Sequence, residues 1–193
     1  KRKIKAIMVL LIISIMGFGV SINAQPKISK NKIPSNISAD VKKEIVKLYS
    51  PIATERVLAI INLGEMGNKA SPAIPFLIEM FNDGEEVTMK TPFKDIPNGV
   101  LIVEMRAYRE ASDALYKIGD ASIEPLIAYI NEKKEYDEIA INTIVKIGSK
   151  TAVKALINLL NTETDEIRNR VAFKLSELKY LEAVDPLITT LKG

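Results

Sequence analysis

The chain contains no histidine, no cysteine and no tryptophan. Without imidazole there is no His general base, and without thiol there is no Cys nucleophile and no Cys/His zinc site. The usual residues of most hydrolytic and redox mechanisms are therefore missing. The same lack excludes a disulfide framework and a thiol-linked lipid anchor. Carboxylates, Lys, Tyr, Ser and Thr remain for chemistry. Aromatic residues are scarce at 6% of the 193 residues, so Ile, Leu, Val and Ala have to fill the core. An excess of one charge is absent as well. The formal net charge is +3, but Lys1, Arg2, Lys3 and Lys5 precede every carboxylate, and from position 25 onward 23 basic residues face 24 acidic ones. That part is not a polycation, and the length suits one domain or one short repeat array.

The N-terminus has a three-part pattern. Lys1-Arg2-Lys3-Ile4-Lys5 is a basic head, Ala6 to Val20 is an apolar stretch of 15 residues, and Ser21-Ile22-Asn23-Ala24 ends on a small side chain. This is the layout of an export signal, and the stretch is shorter than the ~20 residues that span a bilayer. Residues 1–24 are therefore expected to be a signal peptide cut after Ala24. An uncut N-terminal anchor is the alternative. Residues 25–37 contain Pro26 and Pro34 with Lys27, Lys30 and Lys32, but no carboxylate and no apolar period; they read as a flexible linker.

Residues 38–193 repeat themselves. Ala59-Ile60-Ile61-Asn62-Leu63-Gly64-Glu65-Met66-Gly67, Ala111 to Gly119 and Ala140 to Gly148 share one frame: Ala, an aliphatic at +4, another at +7 and Gly at +8. The first three positions fall on one helical face, and the Gly is where a helix stops. A fourth copy, Val171 to Lys179, keeps the face and has Lys for Gly. Shorter amphipathic stretches follow at Pro75 to Met80, Pro125 to Ile130, Ala155 to Leu160 and Pro186 to Leu191. Ser38, Ser71 before Pro72, and Ser122 read as helix starts. The pattern predicts a helix over 38–49, then helix-turn-helix repeats over about 52–83, 100–132, 136–161 and 165–191. A helix pair cannot bury its apolar face alone, so neighbours stack, which predicts an all-α fold, an α-solenoid.

These units resemble HEAT repeats, specifically the short kind named for bilin lyases. The spacing is 29 from Leu115 to Ile144 and 31 from Ile144 to Leu175, below the ~40 to 47 of longer HEAT units. The Val-Arg-x-x-Ala signature of the family is matched in Ile167-Arg168-Asn169-Arg170-Val171-Ala172 and, without its first aliphatic, in Arg56-Val57-Leu58-Ala59; Tyr108 and Asp137 stand at the Arg place in the middle repeats. The resemblance implies the solenoid. It carries over no catalytic residue and no lyase activity, because its repeated positions are packing positions.

From Leu63 to Leu115 the spacing is 52, which marks an inserted loop over 84–99. Pro92, Pro97 and Asn98-Gly99 make it turn-rich, Val87, Met89, Phe93 and Ile96 are expected to cover a groove between repeats, and Val100 to Glu104 to lengthen the next helix. The acidic clusters Glu85-Glu86, Glu132 to Glu138 and Glu163 to Glu166 are expected to solvate turns and complement helix N-termini.

The function expected is binding without catalysis: an exported (periplasmic or secreted) scaffold that holds a protein or peptide on its inner solenoid surface or its loop. The alternative is an enzyme or accessory subunit with carboxylate chemistry in the groove. No cofactor, no metal site, no nucleic-acid partner and no membrane span after signal removal are expected. In the second helices two columns vary in chemistry, Ile78, Ala128, Asn158, Thr189 and Glu79, Tyr129, Leu159, Thr190, while their neighbours stay apolar. Candidate partner contacts are Ile78, Glu79, Ala128, Tyr129, Asn158, Thr189 and Thr190, with Phe93 in the loop. Adjacent residues are only ~100° apart on a helix, so periodicity leaves open which column faces the groove. Tyr129 has the polar-tipped aromatic character of an interface hot spot; its alternative role is packing between repeats.

Overall fold

A computed structural model describes residues 24–92, 100–132, 137–161 and 165–178, together with Ile188. The expected signal peptide therefore lies outside the described residues but for Ala24, and so do Phe93, Thr189 and Thr190. Among the described residues there are eight α-helices and one two-stranded sheet. The protein is mostly helical, as the 3.6-residue periodicity requires.

Helix α1 (Ala39–Lys47) starts on Ser38, whose Oγ accepts from the Val41 amide at 3.4 Å. It lays Val41 and Ile45 on α2 (Ala53–Glu65). The remaining helices are α3 (Ile74–Glu79), α4 (Ala107–Ile118), α5 (Ile123–Asn131), α6 (Asp137–Ile147), α7 (Lys150–Leu159) and α8 (Asp165–Leu178). The longer first helices touch in sequence order, α2 on α4, α4 on α6 and α6 on α8. The second helices form their own row, α3 on α5 and α5 on α7. The core follows the repeat frame: Ala59 and Leu63, Ala111 and Leu115, Ala140 and Ile144, Val171 and Leu175 are all buried.

The frame glycines end their helices as the pattern predicts. Gly67, Gly119 and Gly148 have φ of 54°, 85° and 62°, values that a side chain disfavours. The expected caps fare less uniformly. Ser71 and Pro72 lie inside a 3-10 stretch, Gly67–Ala73, and the Ser71 hydroxyl donates to the Asn68 carbonyl instead of capping a helix. Buried Ser122 donates to the Leu115 carbonyl at 2.9 Å, tying the turn back to α4. Ser149, passed over in the sequence, caps α7 through the Ala152 amide at 3.1 Å.

Two boundaries need correction. The described part of the expected inserted loop 84–99 and the expected start of the second repeat at 100 form strands instead: β1 (Glu86–Pro92) pairs antiparallel with β2 (Val100–Arg106) as a hairpin, and α4 begins only at Ala107. Alternation in Glu86-Val87-Thr88-Met89 and the β-branched Val100, Ile102 and Val103 are compatible with strands, and the pairing of the two runs decides for them. Val87 opposite Met105 turns toward the core, where Val87 is 5% exposed, and Glu86 meets Arg106 on the other face at 2.7 Å. The second correction concerns residues 25–37, expected to be a flexible linker. Ala24 and Pro26 are buried, and Ile28, Ile33 and Ile37 pack against the core. The Tyr49 hydroxyl donates to the Ile28 carbonyl at 2.5 Å, the Lys27 amide donates to Glu79, and Lys30 Nζ sits 5.0 Å from the Tyr49 ring centroid. Three isoleucines without a regular period leave no helical signature, yet each finds apolar surface.

The hairpin is anchored by a buried ion pair. Arg56, 1% exposed, gives Nε to Asp83 at 2.8 Å, one terminal nitrogen to Glu85 at 2.7 Å and the other to the Ser50 carbonyl at 2.9 Å. Burial alone would lower the Arg56 pKa, but its hydrogen bonds to Asp83 and Glu85, with their charges, outweigh it and raise the value. Glu85, expected only to solvate a turn, is thus part of the joint between α2 and the hairpin.

Candidate binding surfaces

The second helices sort the two variable columns. In α5 and α7 the burial pattern is the same residue for residue: Leu126 and Leu156 are buried, Ala128 and Asn158 exposed, Tyr129 and Leu159 buried again. The first column therefore looks outward in these two helices and the second is packing. Ala128 and Asn158 are the sequence candidates that the structure leaves open to solvent. Tyr129, 4% exposed, stands edge-on to Phe81 with ring centroids 5.7 Å apart. Ile78 is buried at 6%, because the 3-10 turns flanking α3 change its facing. Tyr129 and Ile78 are thus corrected from candidate contacts to core positions. Glu79 is half-buried and engaged with the Lys27 amide at 3.3 Å.

Beside Asn158 the row opens into a cleft of about 240 Å³ lined by Glu124, Ile127, Asn131, Ala155, Asn158 and Leu159. Its walls are two successive second helices, its floor is apolar and its rim is amide and carboxylate.

A larger cleft, about 410 Å³, lies on the first-helix side between the end of β2, the first turns of α4, and α6. Glu104, Tyr108, Arg109, Glu110, Ser112 and Asp113 form one side, and Ile139 and Asn142 the other. Ion pairs run between successive first helices here: Glu65 with Lys117 at 2.6 Å, Asp113 with Lys146 at 2.5 Å, and Asp137 with Arg170. Lys117 and Lys146 hold the same place in the repeat frame, whereas their partners Glu65 and Asp113 do not. The Ser112 and Thr143 hydroxyls meet at 2.8 Å across α4 and α6. Arg109 lies 5.7 Å from the Tyr108 ring centroid and donates to its hydroxyl, which lowers the Tyr108 pKa. Burial, and then the neighbouring Asp113 charge, push the Glu110 carboxyl above the ordinary carboxylate range. The sequence offers no signal for this site, since the run that forms β2 suits a helix as well and Glu110 lies outside the acidic runs.

Among the described residues, no helix is long and apolar enough to cross a membrane. No family model matches the chain, and no curated protein is significantly similar to it.

Proposed function

We propose that this chain is an exported, non-catalytic α-solenoid of HEAT-like repeats that binds a protein or peptide on the surface of its second helices. The solenoid reading is supported by the two rows of helices that touch in sequence order and by the glycine stops at matching frame positions. Export is supported by the basic head and apolar stretch of residues 1–24. The observation that carries binding is the pairing of a fixed buried frame with an open, chemically varied line, Ala128 and Asn158, beside an apolar-floored cleft. A packing requirement fixes the first set of positions and leaves the second free to fit a partner.

Two measurements test it. Cell fractionation with N-terminal sequencing is expected to find a chain starting near Gln25 outside the cytoplasm; a full-length cytoplasmic product refutes export, and an uncut membrane-bound one favours the anchor. Affinity capture from an envelope fraction is expected to return a partner that is lost with Ala128→Arg plus Asn158→Arg while the melting temperature stays unchanged. Retention of that partner by the double variant removes the second-helix surface from consideration. The rival reading, carboxylate chemistry in a groove, is favoured by one observation, the raised pKa of Glu110 beside Asp113.

A further inference from the structure

The cations of this protein are sorted along the chain. Residues 25–50 hold six lysines against Asp40 and Glu44, whereas residues 51–193 hold 17 basic and 22 acidic side chains. The two stretches also differ in pairing. From Arg56 onward most described cations meet a carboxylate, as Arg106 meets Glu86, Lys117 Glu65, Lys146 Asp113 and Lys174 Glu177. Before it, Lys47 pairs with Glu44, while Lys27, Lys30, Lys32, Lys42 and Lys43 are exposed and have no carboxylate partner among the described residues. The fold gathers these lysines at one end of the helix rows. The Tyr49 hydroxyl holds the Ile28 carbonyl, Lys30 lies on the Tyr49 ring, and α1 begins at Ser38, so the strap before Ser38 runs back alongside α1. Helix α1 rests on α2 and turns Lys42, Lys43 and Val46 outward, with Val46 44% exposed. Exposed Lys69 joins them beside Pro34, Ile37 and Ser38 at a hollow of about 470 Å³. A terminal cap needs a polar outer face, but stacking does not ask for a single sign of charge. Lysines around an exposed aliphatic side chain are the pattern of a surface that lies on lipid.

The docked strap also sets a distance. The apolar stretch of the N-terminus ends at Val20, and the first hydrogen bond that fastens the strap is that of the Lys27 amide to Glu79. The chain between Val20 and Lys27 reaches at most about 25 Å, whereas a free linker running to Ser38 would reach about 60 Å. While the apolar stretch is engaged with a membrane, before a cut or in an uncut anchor, the basic end is therefore held beside that membrane. We propose that the strap, α1 and Lys69 form a docking face for the surface of an anionic phospholipid bilayer, with the lysines on the headgroups and Val46 in the interface. The three lysines of the strap are too few for this, but with Lys42, Lys43 and Lys69 they reach the number that holds such a surface. This goes beyond the second-helix surface and uses a different part of the molecule. It rests on the export reading for the distance and not for the charge.

The test is co-sedimentation of the chain from Gln25, which keeps every strap contact named above, with vesicles of phosphatidylcholine alone or mixed in equal parts with phosphatidylglycerol. Binding is expected to the mixed vesicles and not to the neutral ones. Release is expected as sodium chloride shortens the Debye length from about 10 Å at 0.1 M to about 3 Å at 1 M. Lys42→Gln plus Lys43→Gln is expected to weaken binding about 30-fold, as for two basic residues near an anionic surface. The melting temperature should not change, because neither side chain has a carboxylate to lose among the described residues. Lys150→Gln plus Lys154→Gln removes the same charge from exposed positions on α7 and is expected to change binding less than about twofold, since those lysines lie off the face. Equal losses in the two double variants would reduce the effect to net charge and overturn the proposal, as would equal binding to neutral vesicles or no binding to either kind. Inorganic phosphate should release no more protein than chloride at the same ionic strength; selective release would assign the lysines to a free anion and also overturn it. Vesicle binding uses neither a partner protein nor an export step, so its failure and the failure of capture or fractionation are separate results.

Discussion

Arg56 shows how one side chain can fix a junction. Each nitrogen of its guanidinium donates to one acceptor, Asp83, Glu85 or the Ser50 carbonyl, and both Arg56 and Asp83 have side chains 1% exposed. Arg56→Met would leave the Asp83 charge buried without a counter-charge, a loss of about 3–5 kcal/mol. Asp83→Asn in the same chain should recover part of it. Urea denaturation of the single and double variants measures both, and a single-variant loss under about 1 kcal/mol contradicts the burial argument. The pKa of Arg56 is raised above the ordinary guanidinium value, so its stabilisation is complete below that value and is not titrated away at any pH in normal use. Tyr49 is different. Burial first, and then the Glu79 charge, raise its pKa above the ordinary 10.0. The folded state favours the neutral phenol, so this contribution is full below pH 10.0 and is lost as pH rises through the folded value. Melting temperature should therefore fall above that pH, and Tyr49→Phe should make the fall shallower. At neutral pH the variant should cost about 1 kcal/mol for the lost bond to Ile28. An identical alkaline slope in both proteins would show that Tyr49 is not the group responsible.

At the scale of elements, helix stacking depends on one close approach. A Cβ added at Gly64 would lie 3.0 Å from the Ala114 Cα and 3.1 Å from its Cβ. Ala is the better helix former by about 1 kcal/mol, but overpacking costs about 1–3, and the obstacle is partly backbone, which cannot swing away. Gly64→Ala should therefore destabilise by about 1 kcal/mol net, with partial rescue by Ala114→Gly. A higher melting temperature for Gly64→Ala would mean that the helices have room to part. The sequence pointed to Gly64 only as a neighbour of a helix stop; the stop is Gly67, and the packing role of Gly64 depends on a residue 50 positions away. That contrast describes what was legible. Helix faces, glycine stops and the order of units depend on local periodicity, so they could be read directly. The hairpin could not, because Val100 to Met105 suits a helix or a strand equally until Val87 pairs with Met105. The strap of residues 24–37 could not either, since its order comes from Tyr49 and Glu79. The binding candidates were half legible: the variable columns were visible, but burial alone separated Asn158 from Tyr129.

At the scale of the whole molecule, the packing is between neighbours. Among the described residues, helix α8 rests chiefly on α7 and α6. Truncation after Asn161 should consequently leave a chain that melts cooperatively and keeps its helical circular dichroism. It should melt at a lower temperature, because the apolar faces of α6 and α7 that α8 covers become wet. One electrostatic cost is specific. Asp137, with a side chain 12% exposed, loses Arg170 and becomes a partly buried carboxylate without a cation. Asp137→Asn should accordingly restore part of the melting temperature in the shortened chain and lower it in the full one. That reversal of sign separates local stacking from a single cooperative core, in which truncation would abolish the melting transition and Asp137→Asn would rescue nothing.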